Sequence, residues 1–523
     1  MAYIPTKKTD FDARLAPLLP DYSHAPPDTR IIELLQTNTP PSPMERNSFE
    51  ATLSETPGRI AELDSLILST TSLLRYLTND RNQALENQAN ATKILSPSRR
   101  LPTELLTDIF IRCSSLQDGS DSPLDPGEFP WTLSHVCRKW REVTIATPEL
   151  WSSIRLDFLD DRFLSGSRIR EAAFMLGVIL DRARPHYLDV RIDYDDGIST
   201  HPTCAVLLPS VRFWKSLHIT GESVDLGFLS PCRGFFDRLE TAVVWTEYHG
   251  GSEAIDTFVV APRLRSFTKT LDALFLLPAN LVEFNDHNFF NENTCTTLRH
   301  LVNIETLSLK CSSYSSQSPR IRLPRVSHLR LQTQLTPNTA SLIYNHFDLP
   351  SLTHLKILFL RSELTVPRRV PLPMHSSTVT CLTLAWTRLV PHKFSSVDIK
   401  HDLSSYNTLR NLRCLTVENC PRISSFLLAL SIPPGKNAIF PKMSKLDIIW
   451  ECHAGLSEDV LDMDILVELI QSRRDQGALR EFNMKWERRL VNDDANTLSR
   501  WQQLSAPGGG IQISASIKGL KAN

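Results

Sequence analysis

At 523 residues the chain is longer than one ordinary hydrophobic core, so several domains or a repeat array are expected. Its 57 basic and 58 acidic residues leave a formal net charge of -1, which removes any global attraction for nucleic acid or an anionic membrane and leaves partners to local surface. Hydrophobic content of 41% is ordinary for a folded protein, and 34 prolines against 18 glycines predict stiff connections that stop elements abruptly. Residues 1–57, with Pro26-Pro27, Pro40-Pro41-Ser42-Pro43 and one short apolar cluster at Ile31, Ile32, Leu34 and Leu35, are expected to form a disordered arm. Lys7, Lys8, Asp10 and Asp12 interrupt the first turns, and no later window nears the ~20 apolar residues of a membrane span, so no membrane partner and an intracellular location are expected. The span 58–96 predicts a long amphipathic helix, free of proline and glycine from Arg59 to Leu95 and carrying a seam of Ile60, Leu63, Ile67, Thr70, Leu74 and Leu77. Arg81 and Gln88 then occupy seam positions, so packing on the helices that follow is expected rather than a long coiled coil.

The span 97–151 reads as a small helical domain. Pro102 suits a first helical turn, and Leu105, Leu106, Ile109 and Phe110 follow at helical spacing. A second helix puts Leu133, Val136, Cys137 and Trp140 on one face and Arg138, Lys139, Arg141 and Glu142 on the other. Between them, Cys113 to Phe129 contains Asp118-Gly119-Ser120 and Asp125-Pro126-Gly127 and reads as an inserted loop. The order Leu101-Pro102-Thr103-Glu104-Leu105-Leu106-Thr107-Asp108-Ile109-Phe110, then Val136-Cys137-Arg138-Lys139-Trp140-Arg141, then Pro148-Glu149-Leu150-Trp151, resembles an F-box. It is most similar to the F-box-like proteins abundant in mushroom-forming fungi, which also join a leading helix to a start such as Ser96-Pro97-Ser98-Arg99-Arg100-Leu101-Pro102. The resemblance implies docking onto the Skp-type adaptor of a cullin-based ubiquitin ligase through Leu101, Pro102, Glu104, Leu105, Ile109, Phe110, Val136, Cys137 and, partly, Trp140.

After Trp151 the period changes. The order apolar-x-x-apolar-x-apolar recurs at Trp151/Ile154/Leu156, Trp214/Leu217/Ile219, Ile304/Leu307/Leu309, Val326/Leu329/Leu331, Leu352/Leu355/Ile357, Val379/Leu382/Leu384, Leu412/Leu415/Val417, Met443/Leu446/Ile448 and Leu479/Phe482/Met484. Weaker members sit at Leu188/Val190, Ala242/Val244, Leu264/Phe267 and Leu281/Phe284. From Leu307 on, the steps run from 22 to 36 residues, near and above the roughly 20 to 29 of leucine-rich repeats. The expected fold class is therefore α/β, a helical F-box followed over 152–490 by an irregular leucine-rich-repeat-type solenoid with a strand plus helix or loop per repeat, and a tail at 491–523.

Outward positions of such strands line the concave sheet and include Ser308, Lys310, His328, Arg330, Gln332, His354, Lys356, Thr383, Thr416, Glu418 and Asp447. Lys310, His328, Arg330, His354 and Lys356 make a mildly basic strip, the candidate surface for a protein substrate, although charged residues on an exposed sheet are commonly just a solvated face. No nucleophile elbow, zinc-protease helix or phosphate loop is found, and Gly435-Lys436-Asn437 reads as a turn. The ten scattered cysteines form no C-x-x-C pair, and Cys414, Cys420, Cys452 and His453 lack zinc-site spacing, so neither a metal nor another cofactor is expected. His453, Asp459, Asp462 and Asp464 read as surface acid beside a helix from about Ser457 through Arg474. The reading is a non-enzymatic substrate receptor. Its alternative is an interaction scaffold, unrelated to ubiquitin, whose F-box-like segment is purely intramolecular.

Overall fold

The structure is a computed structural model that describes residues 29–115, 124–158, 166–194, 201–223, 226–248, 254–310, 320–334, 346–360, 376–386, 408–420, 423–431, 438–450, 461–477, 479–486, 490–491, 495–505 and 511–517. The chain divides into two units, one ending at Leu101 and one beginning at Pro102.

In the first unit, helix α1 spans Thr29–Thr37 and α2 spans Pro43–Ile94. The expected arm is thus helical over 29–37 and again from residue 43, and residues 1–28 lie outside the described residues. The cause is a start signal inside the proline cluster. Ser42 is the N-cap of α2, its Oγ accepts from the Glu45 backbone N–H, and the Glu45 carboxylate accepts from the Ser42 N–H at 2.7 Å, with Pro43 in the first turn. Arg30 donates to Glu45 at 2.9 Å, and this bond leads the causes that hold the Glu45 carboxyl down at about 2. α2 then runs through Pro57. Ile60, Ile67, Leu74 and Leu77 of the seam are exposed.

The second unit opens with three short helices, α3 Thr103–Ser115, α4 Trp131–Val136 and α5 Arg138–Ala146, followed by a 3-10 turn at Pro148–Trp151. Pro102 precedes the first helix and accepts from the Leu106 N–H. The expected single second helix is two, because Cys137 is extended at φ -160° and ψ 171° and serves as N-cap of α5. Of the expected loop, residues 116–123 lie outside the described residues. Phe110 meets Trp140 edge-on at 4.9 Å, Trp131 meets Trp151 likewise at 4.9 Å, and the Trp151 indole N–H donates to the Thr144 carbonyl.

Fourteen parallel strands follow in one sheet, paired strictly in chain order: β1 Ser153–Asp157, β2 Leu188–Asp193, β3 Trp214–Ser223, β4 Thr241–Tyr248, β5 Ser266–Lys269, β6 Glu283–Phe289, β7 Thr306–Lys310, β8 His328–Gln334, β9 His354–Leu360, β10 Cys381–Trp386, β11 Cys414–Glu418, β12 Lys445–Trp450, β13 Glu481–Trp486 and β14 Gln512–Ile517. The chain is a mixed α/β protein with a long sequential parallel sheet. Helices α6 Gly166–Ala183, α7 Pro202–Leu207, α8 Glu292–Arg299, α9 Ile423–Leu430, α10 Met463–Asp475 and α11 Ala495–Ser505 lie in the connections. The tail expected at 491–523 instead supplies α11 and β14. The helix expected from Ser457 begins at Met463, where Asp462 caps it by accepting from the Asp464 N–H, and residues 451–460 lie outside the described residues. Buried Arg473 of α10 donates to the carbonyls of Leu430 and Phe440, and burial pushes its pKa down to about 10.

Parallel register turns strand alternation into continuous rows. One core row reads Ile154, Val190, Leu217, Ala242, Phe267, Phe284, Leu307, Leu329, Leu355, Leu382, Leu415, Leu446 and Phe482, all buried. The next core row, two residues on, is apolar from Leu156 to Val244 and from Leu309 to Met484. Between them it holds Lys269 and Asp286.

Arg182 of α6 joins the helices to the sheet. Its guanidinium lies 4.5 Å from the Trp131 ring and 4.4 Å from the Trp151 ring, and burial lowers its pKa. The Asp189 N–H of β2 also donates to the Ser152 carbonyl. Arg182→Ala removes two cation–ring contacts and the packing of the aliphatic stem, so it should cost about 2 kcal/mol. A lowered urea midpoint for the full chain, only partly restored by Arg182→Met, is the expected result.

Candidate functional site

Two surfaces carry the residues singled out above. On α3, Leu105 and Ile109 stand one turn apart and are 51% and 43% exposed, while Val136, at the end of α4, is 59% exposed. Pro102, Glu104 and Cys137 are also exposed, and Leu101 and Trp140 are half-buried. Phe110 is different. It is 1% exposed and packed against Trp140, so it belongs to the core with Leu106 and is not available to a partner. Exposed Ile145 on α5 adds an apolar side chain that helical spacing did not single out. These helices can offer apolar side chains to a partner, and they hold no reactive pair.

The second surface is the open face of β4 to β11. Register pairs His328 with His354 and Arg330 with Lys356 across β8 and β9, and Lys310 with Gln332 across β7 and β8. The two imidazoles stack at 4.2 Å with an 11° interplanar angle. Their Nδ1 atoms each bond the hydroxyl of the preceding residue, Ser327 and Thr353, at 2.9 Å. Burial, and then the neighbouring His328, lower the His354 pKa. Lys356 is engaged by Glu418 of β11, with Nζ 2.9 Å from both carboxylate oxygens. The outward positions Ser308 and Gln332 are buried rather than open.

Residues outside the expected strip complete this face. Trp245 and Phe289 are exposed, the Lys310 ammonium sits 4.2 Å over the Phe289 ring, and His287 lies 5.7 Å from the Trp245 ring and 3.2 Å from the Gln332 amide. Burial lowers the His287 pKa, and Arg330 lowers it further. Strand parity after Val244 could have found Trp245. The β6 residues are displaced by an irregularity between Asp286 and Phe289 that the sequence does not announce.

Cys381 and Cys414 are register partners on β10 and β11, and burial, with Cys381 beside it, pushes the Cys414 thiol up to about 11. A thiol so raised is a poor nucleophile at neutral pH. Among the described residues no group of three or more His, Cys, Asp or Glu side chains is arranged to hold a metal ion. Cys452, His453, Asp459 and the Gly435-Lys436-Asn437 turn lie outside the described residues. No described helix is long and apolar enough to cross a membrane.

No known family profile and no curated protein matches the chain. It is similar to the crystal structure of a Bacteroides fragilis protein solved as a structural genomics target, at 12% identity and a TM-score of 0.25, over 59% of this chain. The match spans 66% of that protein, just under two thirds of its length.

Proposed function

We propose that the chain is a non-enzymatic substrate receptor of a cullin-type ubiquitin ligase, in which the α3–α5 helices are an F-box that docks a Skp-type adaptor. In this reading the fourteen strands form an irregular leucine-rich-repeat array that holds a protein substrate, inside the cell and without a cofactor. The observation that carries it is the exposure of Leu105, Ile109 and Val136 within the segment whose motif order resembles an F-box. Apolar side chains in a three-helix bundle are otherwise expected inside, and clustered exposed ones mark interaction surfaces. The Arg182 sandwich supports the reading too, since a receptor that acts by proximity gains from a stiff joint between its adaptor and substrate surfaces.

The test is co-purification of the full chain with a Skp-type adaptor. Replacing Leu105 and Ile109 together by aspartate puts charge at the centre of the docking face and should weaken adaptor binding roughly thirtyfold or more. Both side chains are exposed, so the melting temperature should hold. Phe110→Asp should instead unfold the helices. Adaptor binding undiminished in the double variant removes the ligase reading and leaves the interaction scaffold in its place.

A further inference from the structure

The open face of β4 to β9 points to a short acidic peptide, carrying one aromatic or large apolar residue beside its carboxylates, as the occupant of the sheet. This inference rests on the reading of the sheet as a substrate surface and adds the chemistry of what it takes. Charge distribution is the first ground. Lys310 and Arg330 stand on adjacent strands, and neither has an ion-pair partner among the described residues. On both sides of them open-face cations stand beside carboxylates: Arg191 beside Asp193, Lys356 beside Glu418, and Lys445 beside Asp447 and Glu481. Among the described residues, the open-face cations without a carboxylate partner are therefore concentrated on these two strands. A long polyanion laid along the sheet would leave that patch within a few strands and meet Asp189, Asp447 and Glu481, whereas a short segment with one or two carboxylates would not.

Aromatic exposure is the second ground. Trp245 and Phe289 are large apolar side chains left open on the same face, and each touches a polar group of the patch: His287 beside Trp245, and Lys310 over Phe289. An aromatic ring beside a cation, as at Phe289 and Lys310, suits an apolar anchor next to an acid. The stacked imidazoles of His328 and His354 close the patch on the far side and add ring faces and N–H groups.

Dimensions agree with a short occupant. Strands lie about 4.8 Å apart, so β4 to β8 span roughly 19 Å, the length of about six extended residues. Carboxylates fit better than a single phosphate. Lys310 and Arg330 lie one strand apart and two residues out of register, a spread that matches separate single charges rather than one dianion gripped by a fork.

The test is selection of a randomised ten-residue peptide display library on the immobilised full chain, followed by fluorescence anisotropy with the enriched peptides. Enrichment of acidic peptides containing Trp, Phe, Tyr or Leu is expected. Arg330→Glu and Lys310→Glu should each weaken their binding by roughly tenfold or more. Trp245→Ala should weaken the aromatic peptides and spare those lacking an aromatic, and Arg212→Glu, on an exposed turn off this face, should change nothing. All these side chains reach solvent, and unchanged melting temperatures will verify that the variants fold. Enrichment of neutral or basic peptides, no enrichment over an uncoated support, or full binding by Arg330→Glu would overturn the proposal. So would more than tenfold tighter binding of a phosphoserine version of the same peptides, or tighter binding of a twelve-nucleotide single-stranded RNA. No adaptor is present in the assay, so its failure leaves the docking test on Leu105 and Ile109 standing, and the reverse also holds.

Discussion

Lys269→Met alone is expected to destabilise the array by about 3–5 kcal/mol, and Lys269→Met combined with Asp286→Leu to recover most of that loss. Both side chains are sealed, at 0% and 1% exposure, with Nζ 2.8 Å from the carboxylate. The pair is well bonded: Lys269 also donates to the Leu271 carbonyl, and Asp286 accepts from the Thr294 hydroxyl and the Asn288 N–H. Removing the lysine strands a carboxylate in a row that is otherwise Val, Ile, Leu and Met. Removing both restores that row, since the Thr294 hydroxyl keeps the Asn291 side chain as acceptor. Urea unfolding of the two single variants and the double variant gives the coupling directly. A lysine variant as stable as the wild type would mean that the pair reaches water.

That pair also marks how far the sequence could be read. The apolar-x-x-apolar-x-apolar pattern located nearly every strand because alternation has period two and parallel stacking demands the same residue class in each row. Lys269 and Asp286 break the pattern in adjacent strands, and a single charge at an alternate position reads as outward until its neighbour is aligned. Only register, which pairs residues 17 positions apart in the chain, turns two exceptions into one bond. The last strand falls in the span expected as a tail, although Ile511, Ile513 and Ile517 alternate there as the strand pattern requires. At the other end, proline density reads as disorder, while the Ser42, Pro43 and Glu45 spacing is a helix start.

Helix α3 was legible in the sequence except for which of its two apolar stripes faces inward. Leu105 with Ile109 and Leu106 with Phe110 are two i,i+4 pairs on neighbouring stripes of one helix, and helical spacing alone gives both stripes the same claim to the core. The Trp140 ring decides it by packing on Phe110, which leaves Leu105 and Ile109 outside. On the sheet, Lys356 was legible as an outward cation but not as one already paired, because Glu418 lies 62 residues away in sequence and two strands away in space.

Leu382→Asp is expected to unfold the middle of the array, whereas Thr383→Asp, one residue on, should change stability by no more than about 0.5–1 kcal/mol. Leu382 is buried between Leu355 and Leu415, so its carboxylate would enter an apolar row with no donor to meet it. Thr383 is half-buried on the open face with Lys356 as its register partner, where an added carboxylate reaches water and shares that cation with Glu418. Thr416 would be a poorer control, since its hydroxyl already lies 3.4 Å from Asp447 and a carboxylate there would face another. Because each strand is held mainly by its two neighbours, damage at Leu382 should spread to β9 and β11 before it reaches β1 to β4. Hydrogen exchange across the sheet will follow that spread, alongside thermal unfolding. Equal damage from the two substitutions would mean that the two residues share an environment, which parallel alternation forbids.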